Sequence, residues 1–295
     1  MLKQVKTKLG LVALLAITAN ISQAADVDIP SLNPDEGRIG EVRRVVDESE
    51  FKVCADPENM PYSNNKQEGF EDKIAQVLAA DLGKKLTYTY AYSRQGFFRN
   101  TLGANRCDVV MGTTSDSDIT RNSKPYYRAG HVFVWRKDSN YNITNWDSPD
   151  LHKGYIGVTD HSPATIPMND NNLIGNARPY RIQRDLNLPS SFMIDDLAKG
   201  DIDIAVAWGP IGGYFAKQSK IPMVVVPIPE YNNINIKGKE YWNISVGVRK
   251  KDKDRMAMIQ GALDRNQDKI IKILDDYGIP HVPVVDGDTL QKRVK

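Results

Sequence analysis

The chain has 295 residues, with 39 Lys and Arg against 37 Asp and Glu, two cysteines and four histidines. A chain of this length fits one large α/β unit or two lobes better than a single small core. It has no basic patch or long run of one sign to argue for nucleic acid. Two cysteines without a CxxC, beside four scattered histidines, make a poor metal site.

The opening MLKQVKTK carries three lysines and no acid, and LGLVALLAITANI follows as an apolar run. That run is shorter than the ~20 residues needed to span a bilayer. Ser-Gln-Ala closes it with small residues at −3 and −1, so 1–24 is expected to be a secretory signal peptide cut after Ala24. Without Lys3, Lys6 and Lys8 the balance is 36 against 37, a net charge of −1. Residues 25–50 are polar, with Pro30, Pro34 and a charged patch, EVRRVVDESE, and are expected to be an N-terminal extension.

The elements then alternate. FKVCA is a strand. GFEDKIAQVLAADLG carries Ile74, Val77, Leu78 and Leu82 at helical spacing and stops at Gly83. KLTYTYAY is a strand, GFFRNTLGAN a short helix, CDVVMG a buried strand and HVFVWRK another strand. The same grammar repeats in GYIGV, PSSFMIDDLAKG, DIDIAVAWG, IGGYFAKQS and PMVVVPIP. YWNISVGVRK adds a strand, and DRMAMIQGALDRNQDKIIKILDDYG reads as one long amphipathic helix. This order argues a mostly parallel sheet covered by helices. Two segments with one plan argue two lobes, with a ligand cleft at the carboxyl ends of their strands.

GFEDKIAQVLAADLGKKLTYTY resembles the "G-F-D-x-D-I-A…L-G" segment of periplasmic solute-binding proteins of the amino-acid-binding type. RCDVVMG with SKPYY, KGDIDIAVA, YWNISVGVRKKD and IIKILDDYGIP are similar to later motifs of that family, in the same order. The resemblance spans roughly Phe51 to Pro283. It implies an α/β, periplasmic binding protein-like fold of type II, two lobes with a cleft between them. The implied division is 51–137 plus 243–295 for a discontinuous lobe 1 and 138–242 for lobe 2.

VCADPENMPYSN, GFFRNTLGANRCDVVMG and SKPYYRAGHVFVWR resemble a narrower group. These are the binding-protein-like accessory proteins encoded beside pyrroloquinoline-quinone (PQQ) dependent methanol dehydrogenases, the MxaJ/MoxJ type and its lanthanide-system counterpart. Membership implies a role in periplasmic methanol oxidation, through contact with the dehydrogenase or help in its maturation. PQQ would belong to that partner, and no cofactor is assigned to this chain.

The resemblance also frames the cleft. Amino-acid binders place an arginine about seven residues before the Ser of "S-x-P-Y-Y" to grip a carboxylate with two prongs. That Ser is Ser123 here, and the matching position is Asp116, within TTSDSDIT. Arg121 lies too close to Ser123 to substitute. A carboxylate there repels an anion, so a cation, a neutral ligand or no ligand fits better; the alternative is that Asp116 and Asp118 only serve the loop. The expected cleft wall comprises Asp56, Pro61, Tyr62 and Ser63 after the first strand, with Arg94, Thr114 and Asp116. Across from it come His161 and Ser162 at a helix start and Trp208 at a strand end. The competing readings are that Asp56 caps a turn, Trp208 fills the cleft, and His161 and Ser162 serve ordinary helix capping. Tyr231, Tyr241 and Trp242 are expected on a partner surface, since aromatics beside polar residues favour interfaces; the alternative is an ordinary loop near the hinge. Cys54 and Cys107 fall on strands that neighbour one another in this fold, so a bridge between them is implied, with two buried thiols as the alternative.

No G-x-S-x-G, H-E-x-x-H or P-loop occurs, so no enzyme motif supports catalysis. A small-acid lyase would need the missing cationic grip. The remaining readings are a non-enzymatic dehydrogenase accessory protein and a solute-binding protein that delivers a small non-carboxylate ligand to an ABC importer.

Overall fold

The computed structural model describes residues 46–181, 188–230 and 241–285. The expected leader, most of the expected extension and Tyr231 lie outside the described residues. Met1–Arg43 and Arg44–Lys295 cluster as separate units, and the following concerns the second.

The chain forms β1 (Glu50–Ala55), β2 (Glu58–Asn59), β3 (Ser63–Asn64), α1 (Phe70–Asp81), β4 (Lys85–Tyr90) and α2 (Phe97–Asn100). Then come β5 (Val109–Thr114), β6 (Arg121–Asn122) and β7 (Tyr127–Arg136). They are followed by β8 (Ile156–Thr159), α3 (Thr165–Asp170), β9 (Ala177–Tyr180), α4 (Phe192–Lys199) and β10 (Ile204–Trp208). The last elements are α5 (Gly209–Gln218), β11 (Met223–Pro227), β12 (Tyr241–Val248), α6 (Lys253–Arg265) and α7 (Gln267–Tyr277).

The main sheet runs β4-β1-β5-β12-β7-β10-β8-β9, with β6 paired to β12 and β11 to β7. Its two ends are parallel: β1 with β4 and β5, and β8 with β9 and β10. Its middle is antiparallel, because β12 opposes both β5 and β7, and β7 opposes β10 and β11. The sheet is therefore more mixed than the alternating pattern implied.

β7 belongs to both halves. Tyr127 to Gly130 pair with β12, whereas His131 to Arg136 pair with β10 and β11. The partner changes inside the strand, at Gly130/His131. Gly130 permits the change: a Cβ there would sit 2.6 Å from the Tyr241 ring that lies against it.

Strand alternation builds the core of the second half. Phe133 and Trp135 of β7 join Ile204 and Val206 of β10 on one face, with Trp146, Met168 and Leu173. Val132 and Val134 join Ala205 and Ala207 on the other, with Met193, Ile194 and Leu197 of α4. This is the period of two expected of a strand covered on both faces. In the first half, Phe70, Ile74 and Leu78 form the helical stripe of α1, which packs with Phe51, Val53, Ile259, Leu263 and Leu274.

Two elements differ from the sequence reading. The long C-terminal helix is broken at Asn266 (φ −118°, ψ 16°) into α6 and α7. Asn266 is 3% exposed, and its side-chain amide donates to Asp81 Oδ1 and the Ala262 carbonyl. A buried Asn that bonds locally competes with helix continuation. The stretch between GYIGV and PSSFMIDDLAKG, to which the alternating pattern assigned no element, contains α3 and the edge strand β9. Cys54 and Cys107 form a disulfide, with Cα atoms 5.5 Å apart. No helix among the described residues is long and apolar enough to cross a membrane.

Candidate functional site

The loop after β1 is shaped by one carboxylate. Asp56 accepts from the backbone N–H of Glu58 (2.9 Å) and of Ser93 (2.6 Å). It thus ties together the loops that leave the parallel strands β1 and β4. Ser63 is buried and donates to the Asp56 carbonyl at 2.8 Å. The chain then folds back over the start of α1: the N–H groups of Phe70 and Glu71 donate to the carbonyls of Pro61 and Tyr62. Gly69 is required at this approach, because a Cβ would collide with the Tyr62 carbonyl. Asp72 closes the helix start by accepting from Gly69 N–H (3.0 Å) and Asn64 N–H (3.1 Å).

This frame points Tyr62 into a cavity of about 520 Å³. Trp208 lines the same cavity, near enough to the Tyr62 hydroxyl to oppose in part the rise that burial imposes on it. Trp208 ends β10, opposite His131 in the register of β7. Its ring centroid is 5.3 Å from that of Trp242 on β12, with planes 75° apart. His131 meets both indoles edge-on, at 5.6 Å and 6.1 Å. Asp56, Glu58, Tyr92 and Arg94 line the cavity on the side of β1 and β4; Thr159, Ser162, Pro163 and Leu188 line it on the other. The Arg94 guanidinium lies over the Tyr92 ring, 5.3 Å from its centroid.

The cavity thus gathers Asp56, Tyr62, Arg94, Ser162 and Trp208 from the expected wall. Five other candidates do not line it. Pro61 is buried in the turn and Ser63 is its strut. Thr114 pairs with Ile244 in the sheet, and Asp116 is exposed on the following loop. His161 is 84% exposed and pairs with Asp160 at 2.7 Å. The helix expected to begin there, α3, is only six residues long. Tyr241 and Trp242 are not on an outer surface either. Tyr241 is 6% exposed, donates to the Ile228 carbonyl and carries the Arg128 guanidinium over its ring at 4.9 Å. Trp242 faces the cavity. The sequence reading missed Glu58, Tyr92, His131 and Trp242 as wall residues. The first two follow strand ends, which was a usable signal; the other two sit on antiparallel strands whose partners no local pattern names.

Behind Tyr62 lies an acidic pair, half-buried Glu71 and buried Asp72. Burial, with the Asp72 charge second, pushes the Glu71 carboxyl up to about 8. Burial also raises Asp72, Tyr62, Tyr126 and Tyr127 above their ordinary ranges, and Glu71 adds to the rise at all three tyrosines. Gly112, at φ +66°, makes room, since a Cβ there would collide with the Glu71 carboxylate. Among the described residues no group of three or more His, Cys, Asp or Glu is placed to hold a metal ion.

Residues 51–278 match the family of bacterial extracellular solute-binding proteins, family 3. The chain belongs to that family. Its fold is the type II periplasmic-binding-protein fold, and within the family it is of the MoxJ type. It is 28% identical to the protein MoxJ of Methylorubrum extorquens over 291 residues, covering 92% of this chain and 95% of that one. The crystal structure of MxaJ from Methlophaga aminisulfidivorans superposes with a TM-score of 0.69 at 27% identity, over 79% of this chain and 100% of the other. That of the periplasmic binding protein XoxJ from Methylobacterium extorquens gives 0.67 at 33% identity, again over 79% and 100%.

Proposed function

We propose that this protein is a non-enzymatic periplasmic accessory protein of a PQQ-dependent methanol dehydrogenase system, which binds the dehydrogenase or aids its maturation. The observation that carries this reading is the likeness to MoxJ, MxaJ and XoxJ along nearly the whole length of those proteins. The cleft supports it by what it lacks. The arginine that would grip an amino-acid carboxylate is replaced by Asp116 on an exposed loop, and Arg94 is engaged over Tyr92. An expected leader at 1–24 and the Cys54–Cys107 bridge fit an oxidising compartment outside the inner membrane. We place the meeting of the two lobes at Gly130/His131, where β7 changes partners.

Native mass spectrometry of the mature protein mixed with purified quinoprotein methanol dehydrogenase tests the reading. A complex at the summed mass supports it. Absence of a complex, together with normal dehydrogenase maturation in a deletion strain, defeats it. A second reading, delivery of a small non-carboxylate ligand to an importer, is favoured by the cavity of about 520 Å³, a size that suits a small molecule.

A further inference from the structure

We propose that the cavity is a binding site for a small organic cation, a methylated or quaternary ammonium group, seated in the corner between Trp208 and Trp242. This inference goes beyond the accessory reading and stands independently of it.

The first argument is the shape of the π surface. The two indoles stand 75° apart with centroids 5.3 Å from one another, so they form adjoining walls and not a stack. His131 closes the back of the corner by touching both. Both indoles line the cavity, so an incoming group meets aromatic surface on two sides. A ring face of this kind attracts a cation and repels an anion.

The second argument is charge. Asp56 and Glu58 put two carboxylates on the wall against one cationic side chain, Arg94. Asp56 is fixed by two backbone N–H groups, and Glu58 is exposed on β2 with Oε2 3.4 Å from the Tyr92 hydroxyl. Arg94 does not reverse the balance, because it already sits as a cation over Tyr92. The wall thus holds one cation on an aromatic ring and keeps net negative charge for a second. An anionic ligand would have to displace Arg94 from Tyr92 while facing both carboxylates. The short α3 supplies no alternative anion site.

The test is titration of the mature protein with choline, and with 3,3-dimethylbutan-1-ol, its uncharged carbon isostere, at constant ionic strength. Tryptophan fluorescence and calorimetry are the readouts. Choline is expected to bind saturably and at least about tenfold more tightly than the isostere, the factor that one desolvated cation–π contact supplies. Trp242→Leu is expected to weaken choline about tenfold while leaving the isostere nearly unchanged, and Trp242→Phe to restore most of the loss. Glu58→Gln, at an exposed side chain of β2, is expected to weaken choline several-fold. Equal binding of the two compounds overturns the proposal, as does no saturable choline binding at millimolar concentrations. Tighter binding of acetate than of choline overturns it in favour of an anion held by Arg94. None of these outcomes bears on whether a dehydrogenase complex forms.

Discussion

The two halves of the sheet use the same alternation of strands and helices but are fastened by different means. Around β1, the strap is covalent and ionic. The Cys54–Cys107 bridge joins β1 to the start of the β5 segment. Beside it, Arg249 donates to the fully buried Asp108 at 2.8 Å and to the Cys107 carbonyl, and it forms an ion pair with Asp252 at 2.7 Å. Around β10 the strap is apolar, built from the alternating faces of β7 and β10. The matching arginine there, Arg136, donates to the carbonyls of Leu197 (2.7 Å) and Ile202 (3.1 Å), and its nearest carboxylate in that half, Asp203, is 3.7 Å away and 30% exposed. The contrast teaches that one wall of the cleft rests on specific polar partners and the other on packing.

The largest expected effect breaks that contrast directly. Arg249→Ala strands a buried carboxylate and should cost about 3–5 kcal/mol in urea unfolding. Arg136→Ala removes only hydrogen bonds to carbonyls and a partly exposed pairing, and should cost about 1–2 kcal/mol. Equal losses would remove the distinction between the halves. Next comes the double change Cys54→Ser with Cys107→Ser. It opens a loop with a sequence separation of 53 residues, and should lower stability by about 2–4 kcal/mol.

A pH effect sharpens the account of the first half. The Glu71 carboxyl is raised from 4.5 to about 8, by burial first and by Asp72 second. A carboxyl held higher in the folded chain keeps its proton longer when folded. Its destabilising ionisation is absent below about pH 4.5 and grows as pH rises towards about 8. Stability should therefore fall by roughly 1–3 kcal/mol between those limits, a figure discounted because the side chain is only half-buried. Glu71→Gln should flatten most of that slope in thermal unfolding curves taken across the range. A residual slope of the same sign would belong to Asp72, which is raised as well. The smallest effect falls where the halves meet. Tyr241→Phe loses the bond to the Ile228 carbonyl and should cost about 1 kcal/mol.

The sequence made the alternating elements legible because apolar spacing reports which face of each element is covered. It also marked Asp56, Tyr62 and Trp208, since residues just past the ends of parallel strands face the cleft in this fold. It did not reveal Trp242 and His131, because their place depends on β12 and β7 crossing the sheet antiparallel. Trp242 read as an interface aromatic for that reason. The break at Asn266 was hidden by an unbroken helical period, and the bonds of its buried amide to Asp81 and to the Ala262 carbonyl explain it. His161 was read from the expected position of a helix start, but the chain turns there at φ +59° and sends the ring to solvent.

The account rests above all on the link to methanol dehydrogenase. A deletion of this protein's gene in its own host, with periplasmic methanol dehydrogenase activity measured per amount of dehydrogenase protein, tests that link most directly. The account predicts a loss of activity, or of mature dehydrogenase, that is restored by returning the intact gene. Full activity in the deletion strain, with no complex between the purified proteins, would contradict it.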